Sequence, residues 1–210
     1  MKQIRKKSEP NSLTKHRNTA HADYDNYPEK DELRIHLHNE QRGICCYCLG
    51  RIVPDVKYMK IEHFKCQDIY PLDQLKYANL LGACKGGEGQ PPELQHCDTF
   101  KGNKELNYYP PSRDYKIETS IFYGNDGTIG STTGNLNTEI NEVLNLNIVY
   151  LKNNRKAALD GFKDSLQKHK GELGRSTLER WLKDWEGDSR ADNLKPYCMV
   201  IVYWLQKRLN

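Results

Sequence analysis

The spacing of the cysteines between residues 45 and 103 constrains the fold of this chain more than any other feature. Cys45 and Cys48 lie two residues apart, and Cys84 and Cys97 follow far downstream. Two thiolates at the first spacing fit adjacent vertices of a zinc tetrahedron, and a second pair is needed to close it. Cys84 and Cys97 are the candidates, with the Gly- and Pro-containing loop 85–95 between them. Ligands need only converge in space, so one structural zinc is compatible with that insertion and would stabilise a short, loop-rich module. Cys46 is an alternative to Cys45, but only Cys45 has the usual gap to Cys48. Cys66 and Cys198 read as core or surface thiols. The 7 cysteines point to metal binding rather than disulfides in a reducing compartment. No secretory signal is visible. The longest apolar run, 197–205, falls far short of the roughly 20 residues that span a bilayer. The expected location is cytoplasmic.

Between the two cysteine pairs stand Glu62 and His63, and directly after the last cysteine stands Asp98. A histidine titrates near neutrality and can take a proton from water, so His63 is the candidate general base. A hard cation such as Mg²⁺ or Mn²⁺ needs oxygen ligands, which Glu62 and Asp98 supply. Such a metal stabilises charge on a departing phosphodiester oxygen. Asn79 is the candidate orienter of the histidine ring or of the connecting loop. Lys101 and Asn103 are candidates for holding a substrate phosphate. His96 is a weaker candidate for ligand or base, and His36 and His38 read as surface residues.

Residues 1–30 read as an irregular basic arm, in which Lys2, Arg5, Lys6, Lys7, Lys15 and Arg17 face the single acid Glu9 up to residue 17. Such an arm contacts phosphate or is simply solvated. Residues 31–110 form the cysteine-bearing module. It opens with a helix over 31–42 and carries a strand over 57–61 and a short helix over 98–106. Residues 111–135 read as a connector with a β-hairpin over 116–133, turning at Asn125-Asp126-Gly127. Residues 136–210 are a helical region, with further helices over 176–185 and 196–209. Tyr197, Val200, Ile201, Tyr203, Trp204 and Leu205 make the last helix apolar on more than one face, so it is a core element or half of an interface, with Trp181 and Trp185 in the same patch. The excess of 32 basic over 28 acidic residues, a net charge of +4, permits nucleic-acid binding without requiring it. The fold class is α+β: a zinc-stapled module followed by helices.

The residues Cys45-x-x-Cys48, Ile61-Glu62-His63-Phe64, Tyr70-Pro71, Asn79-Leu80-Leu81, Cys84 and Cys97-Asp98-x-x-Lys101-Gly102-Asn103 together resemble the HNH (ββα-metal) nucleases. Within them they are similar to the nuclease subunit of Septu-type and retron-associated anti-phage defence systems, the PtuB-like group. Ile4-Arg5-Lys6, Glu9-Pro10, Leu144-Asn145-Leu146-Asn147, Leu151 and Arg155-Lys156-Ala157 extend the resemblance over most of the chain. It implies an HNH endonuclease with structural zinc and catalytic Mg²⁺ or Mn²⁺, an ABC/SMC-like ATPase partner, and DNA or tRNA as substrate. Asp98 stands where the general HNH pattern has His or Asn. Two rivals carry no chemistry: a zinc-stapled nucleic-acid-binding module, and an adapter that docks a partner through its C-terminal helices.

Overall fold

The computed structural model describes residues 1–112, 117–169, 173–187 and 193–210. The chain is a mixed α+β structure with two small sheets. Helix α1 spans Asn11–Arg17 and α2 spans Lys30–Glu40. Leu33 and Leu37, one turn apart on α2, are both buried, and Asp31 and Glu32 complement the positive helix start. Arg42 and Gly43 turn left-handed and end the element. Next comes the cysteine turn 45–48, whose Cys46 N–H donates to Gly82 O at 3.0 Å. That bond pins the turn to the first sheet.

The first sheet pairs β1 (Met59–His63) antiparallel with β2 (Leu80–Cys84), with Glu62 opposite Leu81 and His63 opposite Leu80. A Cβ on Gly82 would meet Met59 Cε at 2.5 Å, so the end of the thioether lies against the bare glycine. Helix α3 (Cys97–Lys101) packs against β2. It is shorter than the expected 98–106, because the chain turns left-handed at Gly102. After α4 (Ile117–Ser120), β3 (Ile121–Tyr123) and β4 (Ile129–Ser131) form the second sheet. The expected hairpin is there, although residue 116, its proposed start, lies outside the described residues. The chain continues through α5 (Gly134–Thr138), which runs on as a π-helical turn at Glu139–Val143. It ends with α6 (Val149–Gln167), α7 (Arg175–Glu186) and α8 (Cys198–Leu209).

One expectation changes, and one of the two readings of the last helix holds. The N-terminal segment is not a free basic arm. Met1, Ile4, Leu13 and Tyr27 are buried in the same core as Leu33, Tyr47, Leu81 and Leu151. Lys6 pairs with buried Glu40 at 2.7 Å and lies over the Tyr77 ring, while Arg17 pairs with Glu9 at 2.5 Å. The segment packs because its few apolar residues close over α2 and β2, and three of its six cations, Lys2, Lys6 and Arg17, pair with acids of this chain. The last helix is a core element. Val200, Ile201, Val202 and Leu205 are buried, and Trp181, Trp185 and Trp204 converge edge-on around Phe162 with ring centroids 5.6–6.1 Å away. Among the described residues no helix is long and apolar enough to cross a membrane.

Candidate metal centre and reactive site

Cys45 and Cys48 come from the turn before β1, Cys84 from the end of β2 and Cys97 from the start of α3. The four sulfurs lie within 4.8 Å of one another. Cys45 and Cys97 are 3.9 Å apart and Cys48 and Cys84 are 3.7 Å apart. Sulfurs each about 2.3 Å from one tetrahedral zinc stand about 3.8 Å apart, so the thiols can hold a structural metal such as zinc without rearrangement. The loop between Cys84 and Cys97 closes on itself: His96 N–H donates to Gly86 O at 2.9 Å. Gly86 is left-handed, and a Cβ there would meet His96 O at 2.1 Å. Glycine is therefore what lets the loop ends touch and brings the split pair together.

Without a metal the cluster favours one ionised sulfur, that of Cys45, while the hydrogen bond to Cys45 pushes Cys84 up and burial pushes Cys97 up, both well above the usual thiol range. Burial opposes a Cys45 thiolate, but hydrogen bonds from Cys46, Cys48, Cys84 and Cys97 outweigh it and hold Cys45 well below the usual thiol range. Cys46 lies outside the set, and burial pushes its thiol up. Cys66 and Cys198 are buried free thiols. His96 places Nδ1 3.2 Å from Cys97 Sγ but is not among the four converging groups. It lines the cluster rather than joining it.

On the other side of α3, Asp98 meets strand β1. Lys60 Nζ lies 2.8 Å from Asp98 Oδ2, and Asp98 shares a side-chain hydrogen bond with Glu62. Alternation along β1 puts Lys60 and Glu62 on one face. Glu62 is 2% exposed. Its Oε1 accepts from Tyr47 Oη at 2.7 Å and faces Lys101 Nζ at 2.9 Å, so Oε2 is the oxygen left for a shared proton or a cation. Glu62 holds that proton. Burial, and then the hydrogen bond and charge of Asp98, push its pKa well above the carboxylate range. Burial also raises Asp98, but the Glu62 hydrogen bond and the Lys60 charge overcome it and leave Asp98 ionised. The carboxylates are a pair rather than a cage, since among the described residues only the cysteines form a convergent set of three or more ligands. A divalent ion held by such a pair takes its other ligands from water and substrate.

His63 ends β1 and is 7% exposed. Its Nε2 is 3.0 Å from Gln74 O. A carbonyl only accepts, so Nε2 carries the proton and Nδ1 is the lone-pair nitrogen. Tyr24 packs edge-on at 4.5 Å. Burial lowers the His63 pKa to about 4, which keeps the imidazole neutral and able to accept a proton at neutral pH. The Asp98 charge acts through space on both His63 and Tyr24, although His63, next to Glu62 at the end of β1, leaves the strand on its other face.

Asn79 braces the loop rather than the ring. Its Oδ1 accepts from Lys65 N–H at 2.8 Å, and its Nδ2 donates to Lys65 O at 3.0 Å and Asp73 O at 3.1 Å. The residue next to Asp73, Gln74, supplies the carbonyl that holds His63. Lys101 does not face outward as a phosphate holder would. It is 1% exposed and bound to Glu62 and, at 3.2 Å, to His63 O. Asn103 is exposed and donates to Asp68 Oδ2 at 2.5 Å. His36 and His38 are partly buried, and His36 bonds Ser8 O. Tyr24, Tyr47, Lys60 and Gln74 were not singled out from sequence. Lys60 was the most legible, two residues before Glu62 on an alternating strand.

No family model matches the chain. It is 34% identical over 102 residues to the Septu protein PtuB of Bacillus thuringiensis, a match covering 44% of this chain and 40% of that protein. The aligned part is thus less than half of either.

Proposed function

We propose that this chain is a metal-dependent HNH endonuclease and the effector subunit of a Septu-type anti-phage defence complex. The observation that carries the reading is the adjacency of Glu62 and His63 at the end of β1, with Asp98 of the following helix paired to Glu62, backed by four converging thiols. His63 Nδ1 takes the proton of an attacking water. Asp98, and Glu62 once it gives up its proton, would hold Mg²⁺ or Mn²⁺, which would supply stabilisation of the leaving oxygen. Lys101 sets the charge and position of Glu62 from behind. Asn79 keeps the loop that fixes the His63 tautomer, and Cys45, Cys48, Cys84 and Cys97 hold a structural zinc that ties β2 to α3. The likeness to a Septu protein supports the defence assignment and, with it, an ABC/SMC-like ATPase partner.

The test is cleavage of plasmid DNA and of total tRNA with Mg²⁺ or Mn²⁺, by the purified chain and by the chain co-expressed with the ATPase encoded beside it. The expected result is cleavage lost in His63→Ala with zinc content unchanged. Cleavage that persists in His63→Ala, or none in any arm, sinks the nuclease reading in favour of a non-catalytic binding or adapter subunit.

A further inference from the structure

Arg155 on α6 is the largest fully buried side chain, 1% exposed. Its Nε donates to Gly127 O at 2.6 Å, and its Nη2 donates to Leu146 O at 2.6 Å and to Asn147 Oδ1 at 3.4 Å. Its Nη1 is buried with no hydrogen-bond partner. Those acceptors are neutral. A guanidinium cannot shed its proton in a protein, and a buried unpaired charge costs several kcal/mol. An anion has to compensate it.

Burial lowers the Arg155 pKa, and the groups that oppose this through space are Tyr123, Cys48, Tyr197 and Cys97. Burial also raises both phenols, so the tyrosines are neutral at any working pH. Burial raises the Cys97 thiol too, but ligation to zinc deprotonates a thiol outright, so with the metal bound the anions among these groups are one sulfur from each half of the cysteine cluster. The backbone connects the same groups. Cys97 N–H donates to Leu144 O at 2.9 Å, two residues before the Leu146 carbonyl that binds Arg155. Asn154, beside Arg155 on α6, donates to the Tyr197 hydroxyl at 3.2 Å. That hydroxyl and Cys48 Sγ crowd the same face of Gly50, where a Cβ would lie 3.2 and 3.3 Å from them. The turn at Leu144–Leu146 therefore meets the Cys97 half of the metal centre, and α6 reaches the Cys48 half through Tyr197.

We propose that Arg155 is the buried counter-cation of the tetrathiolate metal centre. The inference rests on the zinc reading. A zinc ion with four thiolates carries a net charge of about −2, which an apolar surround penalises as it penalises a lone guanidinium. Each charge stabilises the other, so zinc binding and the docking of α6 are coupled. Arg155 is a positioning residue with no contact to substrate.

The test measures zinc content and zinc affinity, by competition with a chromogenic chelator, on the full chain and two variants. Arg155→Met removes the charge, and Arg155→Lys keeps it while losing the fork. Outer-shell partners of metal ligands are typically worth about 10- to 100-fold in affinity, so Arg155→Met should bind zinc that much more weakly. Arg155→Lys should stay within a few-fold of the parent although its urea midpoint falls. Equal affinity in Arg155→Met and the parent overturns the proposal and leaves the zinc reading standing, as does an equal loss in both variants. A parent chain that binds no zinc overturns both. Should Arg155→Met yield no folded protein, Arg155→Lys decides alone: retained affinity with reduced stability supports the counter-charge, and affinity lost in step with stability refutes it.

Discussion

Replacing Asn79 by alanine tests how this site is held together. The side chain is 7% exposed and makes three hydrogen bonds between 2.8 and 3.1 Å to backbone groups of Lys65 and Asp73. A buried hydrogen bond contributes about 1 kcal/mol net, so three are worth about 3 kcal/mol. Lys65 is exposed, and water can rehydrate part of what is left bare, which brings the expected loss to about 2–3 kcal/mol. For a chain of this size that is a fall in Tm of roughly 5–10 °C. The backbone bond from Phe64 N–H to Asn79 O remains, so the sheet persists while the loop loosens. Gln74 sits in that loop and fixes His63, and a displacement of about 1 Å at a reacting group can cost about 100-fold in rate. Cleavage should therefore fall at least 10-fold beyond any loss of folded protein. The assay is urea denaturation followed by circular dichroism, beside cleavage well below the unfolding transition. Asn79→Asp is the control. It keeps the acceptor but turns a carboxylate toward two carbonyl oxygens, so it should be no more stable than alanine. An alanine variant within about 0.5 kcal/mol of the parent, or an aspartate variant that matches the parent, refutes the brace.

The shared proton on Glu62 separates the two carboxylates. Glu62→Gln mimics the protonated acid and should shift stability by less than about 1 kcal/mol, whereas Asp98→Asn leaves Lys60 only the more distant Glu88 at 3.5 Å and should cost about 1.5–3 kcal/mol. Both should weaken Mn²⁺ binding at least 10-fold by calorimetry, and the reverse order of stabilities would put the proton on Asp98. His63 has a folded pKa of about 4 against 6.5 for the free side chain. As pH falls the unfolded chain takes that proton first. The stabilisation is therefore complete above about pH 7 and lost between about 6.5 and 4. The loss from pH 7 to 5 amounts to about 2 kcal/mol. In divalent-free buffer the pH dependence of unfolding should be shallower by that amount in His63→Gln, and parallel curves would exclude the imidazole as its source.

The sequence by itself determined the local parts. The Cys45 and Cys48 spacing, the loop between Cys84 and Cys97, the alternation that marks a strand and the Asn125-Asp126-Gly127 turn are short-range consequences of backbone geometry, and each is found, the strand at Met59–His63 rather than at the expected 57–61. What each charged side chain does was decided by tertiary structure alone. Lys101 occupies the third turnward position after Asp98, which on a free helix would be a surface lysine. Packing of α3 on β2 buries it against Glu62. The basic segment 1–17 looked solvated because its apolar residues are sparse, yet the surface it covers belongs to α2 and β2, far along the chain. Tyr24 and Gln74 have no pattern that marks them as neighbours of His63, and nothing in the sequence around Arg155 marks it as a buried cation. Spacing records which residues share a turn or a face. Burial, and the electrostatics that follow from it, depend on which distant surfaces meet, and that is settled only when the whole core has closed.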